Sequence, residues 1–475
     1  MPSNKNVVVL LLDTLRASAM SDANMPNIKR LARHCTFYNN AVSPGTWTAP
    51  SHAALFTDRK VSDIKGVSQD FFSNGTDKID PWMVKTKFLD QNSTTIASKL
   101  SRLGYQTSLF SNNPFLTSFT NLGVGFDNIY DIWLESNVKY NKRLVDKLSP
   151  IINGGASVRK KMFRASYLMT RILPKPLLDA LYRDLRARLN RGVSNADGTY
   201  RLDRGAKQTN KMLLEHLTYR HNYMKQFIFI NYIEANENYP ASRSIIQDKW
   251  LYMSGIEEMS EHAMSELYRG YLQRLSYLDR EVGHTIEILK SKGILDDATL
   301  VITSDHGQMF GEHGMLYHSL PPYEGVCKVP IIAANFKNGK LVKLNDTISK
   351  PASLSALHKA IYDIADGREE ILDGNMRQSR FVLSEHTGIS EGWDEGLLKM
   401  LKSRSKSAQL IYDAKLKSNA KASAIYDNNI KLIHYFGKRK DEMYDVALDP
   451  EESSNILDSR RPQAHRMLQA LRKLS

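Results

Sequence analysis

Four side chains from three separated stretches have the types and settings to do chemistry together. Asp13 ends the apolar run Asn6-Val-Val-Val-Leu-Leu-Leu-Asp13, Thr48 stands at the start of a helix, and Asp305 with His306 follows the run from Ala298 to Ser304. Two carboxylates, a hydroxyl and an imidazole make a mainly oxygen ligand set, suited to one divalent cation such as Mg²⁺, Ca²⁺ or Mn²⁺, with Zn²⁺ also admissible. Taken singly, each residue is weak evidence. Asp-His-Gly at a strand end is often only a turn, and threonine is a common helix N-cap.

The elements that must position these side chains follow from hydrophobic patterning. Asn6 to Leu12 reads as a buried strand, Pro26 to Arg33 as a short helix and Thr36 to Val42 as a second strand. Pro50 to Phe56 reads as a helix with proline in its first turn. Thr95 to Leu103 is expected to be helical and to stop at Gly104, with Tyr105 to Phe110 resuming as a strand. Phe227 to Ile233 is a further buried strand, Tyr268 to Lys292 a long helix, and Ala298 to Ser304 the strand that delivers Asp305 and His306. Strands alternating with helices imply a large, mostly parallel sheet between helices, with an active site beyond the carboxyl ends of its strands. After about Arg368 the rhythm changes. Phe381 to Ser384, Ala422 to Tyr426, Ile430 to Tyr435 and Glu442 to Val446 suggest a small antiparallel sheet, closed by a helix from Pro462 to Leu474. The expected organisation is α/β, with a catalytic domain over 1–367 and a C-terminal subdomain over 368–475.

Three stretches stand out together: Asn6 to Arg16, Ser43-Pro-Gly-Thr-Trp-Thr-Ala-Pro-Ser-His-Ala-Ala-Leu-Phe-Thr57, and Val301-Ile-Thr-Ser-Asp-His-Gly-Gln-Met-Phe-Gly-Glu-His-Gly314. In order and separation they resemble the signature regions of the sulfatase family, in the alkaline phosphatase superfamily. Supporting similarity lies in Thr95 to Tyr105, Gly125-Phe-Asp127, Tyr323 to Pro330 and Met443 to Pro450. The resemblance implies an alkaline-phosphatase-like fold and hydrolysis of phosphate or sulfate esters. In sulfatases the nucleophile motif is Cys or Ser, any residue, Pro, Ser or Ala, then Arg, and its first residue is oxidised to formylglycine. Here those slots hold Thr48, Ala49, Pro50, Ser51 and His52, so no formylglycine is expected. Relatives in the wider superfamily use an unmodified threonine, which favours phosphoester chemistry through a phosphothreonine. A metal-coordinated hydroxyl has a lowered pKa, and a helix N-terminus favours a docking anion, so Thr48 can act as nucleophile, as helix cap, or as both.

The resemblance also locates the substrate pocket, and there the sequence departs from the family. Asn112 and Pro114 stand where many sulfatases have Lys and His; Asn236, in Glu234-Ala-Asn236-Glu-Asn-Tyr239, stands in the place of a histidine; a later lysine falls at about His318. Cationic anion-holders have become amides and imidazoles. Such a pocket suits a monoanionic diester, with His318 or His52 protonating the leaving group, since histidine is poised for that near neutral pH. The expected substrate-binding residues are Asn112, Asn236 and His318. His313 reads as a loop residue. A sulfate-ester hydrolase working without formylglycine is the alternative enzyme, and a non-catalytic anion-binding protein the alternative of another class.

Bulk composition sets the outer limits. Of 475 residues, 42% are hydrophobic and 24% charged, which fits a folded body of enzyme size and excludes wholesale disorder. No apolar run approaches the roughly 20 residues that cross a bilayer, and no export signal is legible, so the cytoplasm is the expected compartment. Cys35 and Cys327, far apart and in apolar settings, read as buried free thiols. The net charge of +14 is concentrated: Ser136 to Lys225 holds 20 Lys and Arg against 6 Asp and Glu, leaving 45 against 45 elsewhere. This basic stretch, an expected helical insertion over about 136–226, includes an amphipathic piece from Pro176 to Leu189 and a loop from Gly192 to Gly198. It reads either as a solvated helical face or as a docking surface for anionic lipid, glycan or nucleic acid, with peripheral membrane contact allowed by its interleaved Phe163, Tyr167, Leu177 and Tyr182.

Overall fold

The computed structural model describes residues 5–64, 87–117, 120–133, 202–219, 224–241, 249–369, 376, 380–388, 403, 407, 409–410 and 420–474. Most of the basic stretch, including the pieces expected at 176–189 and 192–198, lies outside them.

The first strand, β1 (Asn6–Leu12), is the centre of the main sheet. Val7, Val9 and Leu11 point into one core and Val8, Leu10 and Leu12 into another, which is why the run carries no polar alternation: both faces are covered. Around it stand β2 (Thr36–Val42), β3 (Gln106–Ser111), β4 (Asn128–Asp131), β5 (Gln226–Tyr232) and β6 (Asp297–Thr303). β1 pairs parallel with β5 and β6, and β3 pairs parallel with β5 and β4. A strand the sequence pattern does not announce, β7 (Lys328–Lys337), runs antiparallel between β6 and β2. Pro330 obscures it in the sequence. In the sheet, the pairing with β2 shifts register between Tyr38 and Ala41, opposite Pro330, so the missing N–H falls at an irregularity.

One face of the sheet is covered by α2 (Thr48–Thr57), α3 (Ile96–Arg102) and α6 (Leu357–Ala365), the other by α1 (Pro26–Ala32), α4 (Ala206–Thr218) and α5 (Glu261–Ser291). Local chemistry sets several ends. Thr95 and Ser98 form a capping box at α3, and Gly104, at φ +85°, turns the chain out behind it. Ser260 caps α5 by accepting from Ala263 N, so that helix starts seven residues before the apolar periodicity that marks Tyr268. At α2 the N-cap is Trp47, with extended backbone and no side-chain capping bond, so the helix begins at Thr48. Pro50 is tolerated because first-turn N–H groups have no intrahelical partner.

The C-terminal part is a four-stranded antiparallel sheet of β8 (Phe381–His386), β9 (Ala422–Asp427), β10 (Ile430–Tyr435) and β11 (Glu442–Asp445). Helix α7 (Arg461–Leu474) covers one face through Ala464, Met467 and Leu471. The other face packs on the main body around Met315, Tyr323 and Val326. Between them the buried Lys431 ammonium lies 3.1 Å from Glu324 and 2.7 Å from Glu452. Removing one partner of such a buried pair costs about 3–5 kcal/mol. Cys35 and Cys327 are buried free thiols, and burial pushes each up to about 12.

Candidate active site

All parallel strands of the sheet end on one edge, and the residues with chemistry stand just past those ends. Asp13 follows β1, Asn112 and Asn113 follow β3, Glu234 and Asn236 follow β5, and Asp305 and His306 follow β6. Thr48 reaches the same edge because α2 starts there.

Asp13, Asp305 and His306 are fully buried, and one ligand atom from each lies within 4.8 Å of the others. His306 Nδ1 bonds the Gly307 carbonyl at 2.9 Å, which places the proton on Nδ1 and leaves the Nε2 lone pair toward the carboxylates. Nε2 stands 3.4 Å from Asp305 Oδ2 and 4.0 Å from Asp13 Oδ1. Asp305 Oδ1 accepts from His306 N and Thr14 N, while Oδ2 has no hydrogen-bond partner among the described residues. Burial, then the neighbouring Asp13 charge, pushes the Asp305 carboxyl well above the usual carboxylate range. Burial lowers His306. Two buried carboxylates with an unpaired oxygen between them are costly without a cation, and the donor set of carboxylate oxygens, imidazole nitrogen and hydroxyl fits a divalent one.

Thr48 Oγ1 faces this cluster, 3.5 Å from Asp13 Oδ2 and 3.4 Å from His306 Nε2. The capping alternative for Thr48 is therefore not what the helix end uses. The loop before it is pinned from three sides. Ser43 Oγ bonds the Asp305 carbonyl and lies 3.0 Å from Ser51 Oγ; Ser319 N donates to Thr46 O at 2.9 Å; and Thr46 Oγ1 meets His386 Nδ1 of β8 at 2.9 Å. At Gly45 the loop passes close to α2, where a Cβ would lie 3.0 Å from both Ser51 N and Pro50 Cβ.

The pocket residues divide. Asn236 Nδ2 donates to Asp13 Oδ1 at 2.9 Å, so it meets the carboxylate cluster directly. His318 lies beside His306, ring centroids 4.6 Å apart, with Nδ1 2.8 Å from Gln308 Oε1 and 3.2 Å from Glu237 Oε2. Burial works to raise the Glu237 carboxyl, but the adjacent His318 and Lys249 outweigh it and hold Glu237 at about 2. Lys249 Nζ donates to the His318 carbonyl at 2.8 Å, so a cation borders a pocket that the sequence reads as stripped of lysines.

Asn112 is turned away. Its Nδ2 donates to Thr209 Oγ1 of α4 at 3.3 Å. The adjacent Asn113 is the residue that faces the cluster, donating to Asp13 Oδ2 at 2.6 Å and to Thr48 Oγ1 at 3.4 Å. Strand alternation would have identified it: Leu109 packs on the α2 side and Phe110 on the α4 side, so Asn113 continues with Leu109 and Asn112 with Phe110. His52 is fully buried behind Thr48, with Nδ1 on the Thr48 carbonyl at 2.9 Å and 3.6 Å from Asp305 Oδ2. Its ring packs edge-on against Phe56 and Phe229. Such a side chain braces the first turn of α2 from behind Thr48. His313 is a loop residue stacked on Tyr323 at 3.8 Å.

The family model described as Sulfatase matches residues 5–366. The choline-sulfatase of Rhizobium meliloti is 36% identical over 77 residues, 16% of this chain and 15% of its own length. The chain spans 15, 38 and 39% of the length of three curated relatives it matches. Its fold is similar to the phosphonate monoester hydrolase of Silicibacter pomeroyi, with TM-score 0.62 and 16% identity over 99% of this chain and 94% of that one. It is also similar to a structure in complex with its substrate D-glucosamine-2-N,6-O-disulfate, with TM-score 0.59 and 13% identity over 99% and 97%. These likenesses show the fold, which in this chain is mixed α/β with a large sheet and a small C-terminal antiparallel sheet. Members of the family use a divalent metal.

Proposed function

Because the chain belongs to the sulfatase family, we propose that it is a metal-dependent ester hydrolase with Thr48 as nucleophile, acting on phosphate esters and on diesters above all. The observation that carries this reading is the setting of Thr48 Oγ1, in the first turn of α2 and within 3.5 Å of both Asp13 and His306. Asp13, Asp305 and His306, joined by Thr48, would hold the cation. A divalent ion there supplies charge neutralisation for the transferred group and a lowered pKa for the hydroxyl.

The chain's own residues do the rest. Thr48 Oγ1 forms the bond to phosphorus, its proton having Asp13 Oδ2 as acceptor, while the N-terminus of α2 favours the bound anion. The ester oxygen departs with a proton from His318. With Nδ1 held by Glu237 and Gln308, Nε2 is the nitrogen left to deliver it. Water, or an acceptor alcohol, then attacks phosphorus and gives its proton to His318, while the bond from phosphorus to Thr48 Oγ1 breaks and Oγ1 takes back the proton held by Asp13. Asn113 and Asn236 hold Asp13, and His52 holds the Thr48 backbone.

Sulfate-ester hydrolysis without formylglycine is the second reading, favoured by the similarity to choline-sulfatase. The test is turnover of aryl phosphate mono- and diesters and of aryl sulfate with Mg²⁺, Ca²⁺, Mn²⁺ or Zn²⁺, beside Thr48→Ala and Asp305→Ala. Metal-dependent diester cleavage lost in both variants is expected. A preference for sulfate would favour the second reading, and ligand binding with no turnover would make the protein an anion-binding member of the family.

A further inference from the structure

The loop that follows β5 carries two site contacts, Asn236 to Asp13 and Glu237 to His318, and it is held from outside the sheet. One nitrogen of Arg204, Nη1, shares its two N–H groups among three carbonyls of the loop, Ile233 O at 3.1 Å, Asn236 O at 2.9 Å and Glu237 O at 2.9 Å. The buried Arg274 of α5 takes Glu234 O at 3.0 Å and Asn238 O at 2.7 Å. In return, Glu234 Oε1 accepts from Arg204 N at 3.1 Å and Ala206 N at 2.8 Å at the start of α4. Gly205, at φ +128°, passes so close to Asn112 that a Cβ would lie 2.2 Å from its Nδ2. The segment returning from the basic stretch is thus built into the rim of the site.

We infer that Arg204 is a positioning residue for the cation site, acting through Asn236 on Asp13. Loop carbonyls removed from water need donors, and a charged donor is worth roughly twice a neutral one. With three carbonyls gathered on one nitrogen, the loop has a single placement, and that placement delivers the Asn236 amide to Asp13 Oδ1. Without Arg204 the loop loses the common donor, and Asn236 no longer fixes the rotamer of Asp13. Partners of this kind, one step removed from a metal, typically change affinity by about 10–100-fold. A role confined to stability would leave cation affinity untouched in the folded variant.

The inference rests on the reading of Asp13 as a ligand, and calorimetric titration of Mn²⁺ into the full chain separates the two. Wild type, Arg204→Gln, Asn236→Ala and the double variant form a cycle. The expected result is about tenfold or greater weakening in each single variant, with the double variant no weaker than the worse single one. Arg204→Lys, whose ammonium keeps the positive charge and offers three N–H donors, should lose less, and it replaces Arg204→Gln in the cycle if the glutamine variant does not fold. Folded Arg204→Gln binding Mn²⁺ as wild type does, or losses that add, would overturn the inference alone. Wild type that binds no divalent cation would overturn the reading of the site and the inference with it.

Discussion

Asn113 donates its side-chain amide to Asp13 Oδ2 at 2.6 Å, and the same nitrogen lies 3.4 Å from Thr48 Oγ1. One amide thereby sets the distance between the proposed nucleophile and a proposed ligand. Asn113→Ala should lower kcat by about 10–100-fold, at a stability cost of about 1 kcal/mol. Steady-state kinetics beside a urea melt checks this, and an unchanged kcat would remove Asn113 from the site.

The contact between His318 and Glu237 gives a prediction about leaving groups. A proton donor matters most when the departing oxygen is a strong base, so His318→Asn should slow alkyl diesters by about 100-fold or more and barely affect nitrophenyl diesters. Equal losses on both would assign His318 to binding instead.

Charge at the cation site should be visible in stability as well. Without a cation, Asp13 and Asp305 repel in a buried setting, so Asp305→Asn is expected to melt higher than wild type when chelator is present. Added Mn²⁺ should stabilise the wild type by about 2.7 kcal/mol at a hundred times its Kd, raising its melting temperature, and leave the variant unmoved. A variant that still responds to Mn²⁺ would place the cation elsewhere.

His358 gives a pH signature away from the site. Burial, then the Lys99 ammonium, lowers it to about 4, and Lys99 Nζ lies 2.8 Å from its Nε2. The unfolded chain binds this proton near pH 6.5 and the folded chain only near pH 4, so stability is full above about 6.5 and falls as pH drops through that window. The loss should approach 3 kcal/mol. Urea melts across pH 4–7 should show a shallower slope for His358→Gln, and parallel slopes would contradict the assignment.

Much of this arrangement is legible in the sequence because it is local. The unbroken apolar run of β1 ending at Asp13, and the strand that ends at Ser304-Asp305-His306, announce both a buried parallel sheet and the edge where its site lies. What stays hidden is non-local or hangs on a single residue. Pro330 masks an antiparallel strand whose register irregularity is visible only once β2 is paired with it. Asn112 and Asn113 differ by one step of strand alternation, which exchanges a contact with Thr209 for one with Asp13. Neither Glu237 beside His318 nor Arg204 beneath the β5 loop carries any spacing signal, because their partners are brought close only by folding. His52 occupies the expected slot but is rotated into the core by the helix turn it shares with Thr48.

The central claim, that Thr48 takes the transferred group, is tested most directly by acid-quenching the Mn²⁺-loaded protein during turnover of an aryl phosphate diester and mapping its peptides by mass. A phosphoryl ester on Thr48 that is absent from Thr48→Ala is the expected result. Undiminished turnover by Thr48→Ala, or an adduct on another side chain, would contradict it.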